Sequence, residues 1–227
     1  MVNLNWLLII IIGVVGLIVQ SRLRSVFAKY SRVPFPGGMT GREVAEKMLR
    51  DNGITDVKVV STPGMLTDHY NPQTLTVNLS SDVYNSCSVS AAAVAAHECG
   101  HAVQHARGYA PLRMRSAMVP VIQICSSLST WVILAGMLMI NTMPQLFWLG
   151  IAMIAASALF SIVTLPVEYN ASSRAMTWLE SSGTLQGQQV EMARTALSWA
   201  ARTYLVAALS AIATVLYYVS LISRRND

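Results

Sequence analysis

Ala96-His97-Glu98-Cys99-Gly100-His101-Ala102-Val103-Gln104-His105 contains the pattern H-E-x-x-H. Residues four apart on a helix share a face, so His97 and His101 present two imidazoles on one side. Imidazoles so placed can hold one divalent metal, and Glu98 stands where it can take a proton from water at that metal. The chain has four His, and shuffling its composition produces the pattern in about 1 chain in 500. Chance is therefore a weak rival. The preceding run Ser90-Ala91-Ala92-Ala93-Val94-Ala95-Ala96 is a strong helix former and sets the pattern deep in a helix.

The surroundings of this run decide the fold class. Of 227 residues, 53% are hydrophobic and 12% charged. Soluble domains carry about 25% charge, so the chain reads as an integral membrane protein. Four apolar segments stand out, at 4–20, 117–140, 146–166 and 204–223. Each is long enough to cross a hydrocarbon core of about 30 Å. The fourth is richer in Ala, Ser and Tyr and could instead pack within the bundle. The first lacks a basic residue before it and an obvious cleavage site after it, so it reads as an anchor with its N-terminus outside, not a signal peptide.

Charge orients the chain. With four spans, 21–116 and 167–203 lie on one side and hold 14 of the 16 Lys and Arg; Arg224 and Arg225 remain for the other. This asymmetry places the large segments in the cytoplasm. The net charge of +5 is thus accounted for by topology and a lipid surface, not by nucleic acid. Cys87, Cys99 and Cys125 form no even set and no C-x-x-C, as suits a reducing compartment. Cys99 points away from the two histidines and reads as a small packing residue.

The expected division is an anchor at 1–20, an α+β segment at 21–116, a two-span hairpin at 117–166, a helix at 167–203 and a final span with its tail at 204–227. Within the α+β segment, Tyr30 to Gly38 is a turn-rich linker. Thr40-Gly41-Arg42-Glu43 is a capping box that opens a helix to about Asp51, with Gly53 ending it. Val57–Ser61 and Thr74–Leu79 read as strands, the second either a core strand or one that pairs with an extended substrate. Ser80 or Ser81 suits a short helix, and Ser88 or Ser90 caps the H-E-x-x-H helix, which ends near Gly108.

A catalytic metal needs a third protein ligand and an open position. Three His at i, i+4 and i+8 span about 12 Å of helix axis, so His105 cannot reach a metal held by His97 and His101. Nothing in the spacing supports His69. Glu168 is the better candidate. The second and third spans form a hairpin with a five-residue turn, 141–145. The chain therefore returns at Glu168 to the side it left near His101. Pro166 suits the first turn of a new helix there.

These residues bring a family into view. Nearly the whole chain resembles the YugP-like neutral zinc metallopeptidases of bacterial membranes. The resemblance is carried by the N-terminal anchor, Leu66-Thr67-Asp68-His69-Tyr70-Asn71-Pro72, the H-E-x-x-H core, and Glu168 to Ala175. More distantly it is similar to the HtpX and CAAX prenyl endopeptidase group, where a later helix supplies a ligand Glu in E-x-x-A-D. Here that run is Glu168-Tyr169-Asn170-Ala171-Ser172, so Ser172 stands where the group has an Asp that orients a ligand His. A hydroxyl orients an imidazole less strongly; Asn170 or Asp68 could substitute. The fold implied is a mostly helical membrane protein of about four spans with a small cytoplasmic α+β, gluzincin-like domain.

The expected activity is endopeptidase cleavage at a Zn²⁺ held by His97, His101 and Glu168, in the bacterial plasma membrane, on a protein or peptide substrate associated with that membrane. Glu98 is the expected base, and His69 and Arg174 are candidate donors to the oxyanion. Two other readings stand beside it. One is a site-2-type intramembrane protease, against which count Arg107, Arg113 and Arg115 after the motif and the lack of an Asp-Gly ligand in a later span. The other is a metal-binding scaffold without activity. A transporter is disfavoured because no span carries an ionisable group.

Overall fold

The computed structural model describes residues 4–34 and 37–223. Phe35 and Pro36 of the linker, and Arg224 and Arg225, lie outside them. Seven helices and three strands follow one another: α1 (Leu4–Tyr30), α2 (Gly41–Asp51), β1 (Lys58–Thr62), β2 (His69–Asn71), β3 (Thr76–Ser80), α3 (Ser81–Tyr84), α4 (Val89–Ala106), α5 (Ala110–Leu138), α6 (Pro144–Ser181) and α7 (Gln188–Ser223). Four of these, α1, α5, α6 and α7, are long and apolar enough to cross a membrane. The H-E-x-x-H helix α4 is not among them.

The contacts divide the chain into two compact units. One comprises residues up to Ile18, Met114–Leu165 and those from Thr203. Here Ile133, Phe147 and Ile151 form a small buried core, with Tyr218 packed edge-on against Phe147 at 6.2 Å between ring centres. Glycine lets the α5–α6 hairpin close. A Cβ on Gly136 would stand 2.5 Å from the Phe147 backbone. Such small residues are what allow apolar helices to approach each other in lipid.

The other unit comprises Val19–Arg113 and Pro166–Arg202. The capping box forms as its residues require: the Glu43 amide donates to Thr40 Oγ1, and the Thr40 amide donates to Glu43 Oε2. α2 then lays Val44, Ala45, Met48 and Leu49 against α4, whose Ala92, Ala93, Ala95, Ala96 and Ala102 are all buried. That many alanines bring the two helices close and give α4 a near-continuous buried surface. Ser88 caps α4, its hydroxyl accepting from the Ala91 amide.

The sheet adds one strand and decides the role of another. Its order is β1-β3-β2, with β1 parallel and β2 antiparallel to β3. The short strand β2 was not anticipated, because three residues are too few to show an alternating pattern. β3, read above as either a substrate-pairing or a core strand, has both edges occupied by β1 and β2. Its Val77 and Leu79 are fully buried, so it is a core strand. The edge strands are β1 and β2, and β2 is the one that packs against α4.

The long helices overrun the apolar segments. α6 has 38 residues, about 57 Å at 1.5 Å per residue. Pro166 was expected to open a new helix; it lies inside α6 instead. The buried stripe Val167, Ala171, Ala175 and Leu179 continues the helix past it at four-residue spacing. Packing of that stripe outweighs the one backbone hydrogen bond that proline removes. Likewise α7 begins at Gln188, well before the apolar segment, because Ala193 and Leu197 belong to the core of this unit.

Candidate metal centre

α4 and α6 supply the site, and a glycine lets them meet. Gly100, between the two histidines, faces Ala171, where a Cβ would stand 2.5 Å from the carbonyl oxygen. His97, His101 and Glu168 come together there, and their potential ligand atoms all lie within 4.8 Å of one another. Glu168 Oε2 is 3.2 Å from His97 Nε2 and 3.5 Å from His101 Nε2. Donors bonded to one tetrahedral zinc at about 2.0–2.2 Å stand about 3.3–3.5 Å apart. The spacing fits.

The hydrogen bonds around the cluster also fit a cation. His101 Nδ1 lies 3.0 Å from Gln104 Oε1. Gln104 Nε2 donates to the Val167 carbonyl at 2.8 Å and to Asn170 Oδ1 at 3.0 Å. The Gln104 oxygen can only accept, so His101 carries its proton on Nδ1. With Nδ1 tied to Gln104, His101 directs Nε2 toward Glu168 Oε2, the arrangement of two donors to one cation. On the other side Ser172 Oγ is 3.1 Å from His97 Nδ1. Each imidazole is thus held from behind with Nε2 facing inward, as metal-ligating histidines are.

Glu98 lies against the cluster, only 8% exposed. Burial pushes its carboxyl up to about 7, opposed chiefly by neighbouring His97 and by the backbone N–H of Tyr70, and assisted by the charges of Glu168 and Asp68. A carboxyl near neutrality can exchange a proton with little driving force in either direction.

The remaining residues singled out above have other contacts. His105 Nδ1 is 2.7 Å from the Tyr70 hydroxyl, outside the three-residue cluster. His69 is exposed on β2, with Nδ1 2.7 Å from the Thr67 carbonyl. Arg174 Nε donates to Asn170 Oδ1 at 2.8 Å. Cys99 is fully buried, its thiol directed to the Ala45 carbonyl of α2. Asp68 accepts from the Ser80 amide and hydroxyl, and not from a histidine. Sequence reasoning missed Gln104. Its signal was a lone amide one turn after His101 on a helix otherwise lined with alanine. Tyr70 was missed too, for want of the strand that brings it to Glu98 and His105.

Comparison with known proteins agrees with this geometry. A family model described as "Putative neutral zinc metallopeptidase" matches residues 5–223. The "Putative membrane protease YugP" of Bacillus subtilis (strain 168) is 40% identical over 208 residues, 92% of each chain. No solved structure matches. A match of this extent, with two histidines and a glutamate gathered at metal-ligand spacing, shows that the chain belongs to this neutral zinc metallopeptidase family.

Proposed function

We propose that the protein is a zinc-dependent endopeptidase of the plasma membrane, working at the cytoplasmic face on membrane-associated polypeptides. The observation that carries this reading is the buried cluster of His97, His101 and Glu168, with Glu98 beside it. Zinc bound there would supply a Lewis acid for a peptide carbonyl and would lower the pKa of water toward neutrality. His97, His101 and Glu168 would hold it; Gln104 and Ser172 keep the two imidazoles turned inward. Glu98 accepts the proton of the attacking water and delivers it to the leaving amine nitrogen. His69, one residue before Tyr70 on β2, and Arg174, six residues after Glu168 on α6, are the proposed donors to the oxyanion. An extended substrate pairs with β2, the edge strand that packs against α4.

The cytoplasmic orientation rests on the 14 of 16 basic residues in 21–116 and 167–203. The intramembrane alternative loses support from α4 itself, which packs against a polar-edged sheet and α2. Substituting Glu98→Gln tests the mechanism. The purified protein should keep its zinc and lose casein cleavage. Zinc retention with undiminished cleavage would overturn the role of Glu98; zinc binding without cleavage by the unaltered protein would favour a scaffold.

A further inference from the structure

A groove of about 950 Å³ opens along the first turns of α4, within the compact unit that holds the cluster. Its apolar wall comes from three places distant in sequence: Phe27 of α1, Met65 and Leu66 of the loop before β2, and Val83 and Val94 of α3 and α4; Arg24, Asp82 and several Ser and Asn side chains form a polar rim. Asp68 lines it as well. Two features join it to the metal centre. Ala91 and Val94 line the groove, and Glu98 follows on the same face of α4, one turn beyond Val94. Asp68 is two residues before Tyr70, whose backbone N–H reaches Glu98. The groove thus begins one helical turn from the base on α4 and two residues from Tyr70 on the edge strand β2.

Its lining is arranged to receive apolar side chains. Met65 and Leu66 are 78% and 58% exposed, although they are large and hydrophobic. Leu66 is held at φ +57°, a conformation that residues other than glycine adopt at a cost. The turn is fixed by the Thr67 hydroxyl donating to the Pro63 carbonyl and by Asp68 accepting from Ser80. The loop thus holds two apolar side chains out over a cavity instead of burying them. A cavity of this size takes more than one side chain.

We propose that this groove is the specificity pocket of the peptidase. It takes two or three consecutive large apolar side chains of an extended polypeptide lying along β2, and the anchor helix α1 forms one of its walls. The proposal rests on the peptidase reading above and assigns that site its substrate class: unfolded or loosely structured chain of Leu, Phe or Met character. The anchor then serves recognition as well as attachment.

Two measurements on the full chain in lipid nanodiscs test it. The first does not depend on turnover. A fluorescent decapeptide with a central Leu-Phe-Leu is titrated into Glu98→Gln protein, beside the same peptide with Ser-Asn-Ser. The apolar peptide should bind at least about tenfold more tightly, and Leu66→Asp or Phe27→Glu should erase the difference while zinc content is kept. With p-benzoylphenylalanine in place of Met65, light should attach the apolar peptide. Adducts with lipid alone would overturn the proposal in favour of an acyl-chain site. The second compares kcat/KM for the two peptides with unaltered Glu98; Leu66→Asp should reduce the ratio about tenfold or more. Equal binding of the two peptides, or a preference untouched by Leu66→Asp and Phe27→Glu, overturns the pocket and leaves the peptidase standing. Selective binding without cleavage by the zinc-loaded wild type overturns the peptidase and leaves the pocket.

Discussion

Gly100→Ala changes one hydrogen for a methyl group at the tightest point between the helices that hold the cluster. The new Cβ would stand 2.5 Å from the Ala171 carbonyl oxygen, where ordinary contact begins at 3.4 Å, a deficit of about 0.9 Å. Neighbouring backbone atoms of Ala171 are at 3.1 Å, so the obstacle is a helix and not a movable side chain. α4 and α6 must part. His97 and His101 sit on one, Glu168 on the other, and metal sites tolerate only about 0.2 Å in ligand distance. Alanine raises helix propensity by up to about 1 kcal/mol, but overpacking costs about 1–3 kcal/mol, so the stability change is small or unfavourable. The change in zinc affinity is the decisive one. We expect a loss of at least about a hundredfold, since a ligand displaced by several tenths of an ångström is in effect removed. Competition with a zinc chelator on purified protein in nanodiscs measures it, with circular dichroism confirming helix content. Gly13→Ala is the control, because nothing lies within 4 Å of its added Cβ. A folded Gly100→Ala protein with wild-type zinc affinity would refute the idea that helix spacing here sets the metal site.

Three further outcomes follow from the same geometry. Gln104→Ala strips His101 Nδ1 of its acceptor and the Val167 carbonyl of a donor; zinc affinity should fall about 10–100-fold and stability by about 1–3 kcal/mol, read by chelator competition and thermal unfolding. Ser172→Ala should weaken zinc binding about tenfold and Ser172→Asp should restore or exceed the wild-type value; equal affinities for all three would show that His97 needs no partner on Nδ1. Cys87 is the exposed one of the three free cysteines, so a membrane-impermeant maleimide should label it in inverted vesicles and not in intact spheroplasts. The reverse pattern would place the metal centre outside.

Much of the site was legible from the chain because its chemistry is local or topological. His97, Glu98 and His101 are set by helical periodicity alone. Glu168 followed from counting spans, since a hairpin must return a chain to the side it left. His105 dropped out by distance along a helix axis, and it is found on Tyr70 instead. Thr40 to Glu43 capped its helix as four residues in a row must. What escaped was non-local or short. β2 has three residues and exists because β3 pairs with it. The unbroken run of α6 through Pro166 depends on a stripe of contacts that no propensity encodes.

The sequence by itself determined the pair of imidazoles, the apolar segments and the sign of the charge asymmetry, because each depends on spacing or composition along one chain. Only the tertiary structure decided how the imidazoles are held. Gln104 meets His101 within one helical turn, but it is fixed there by Val167 and Asn170, 63 and 66 residues on, and Ser172 meets His97 across 75 residues. Gly100 marks the boundary between the two kinds of information. In the sequence it is one small residue within a motif; in the folded protein it lets α6 bring Glu168 to the histidines.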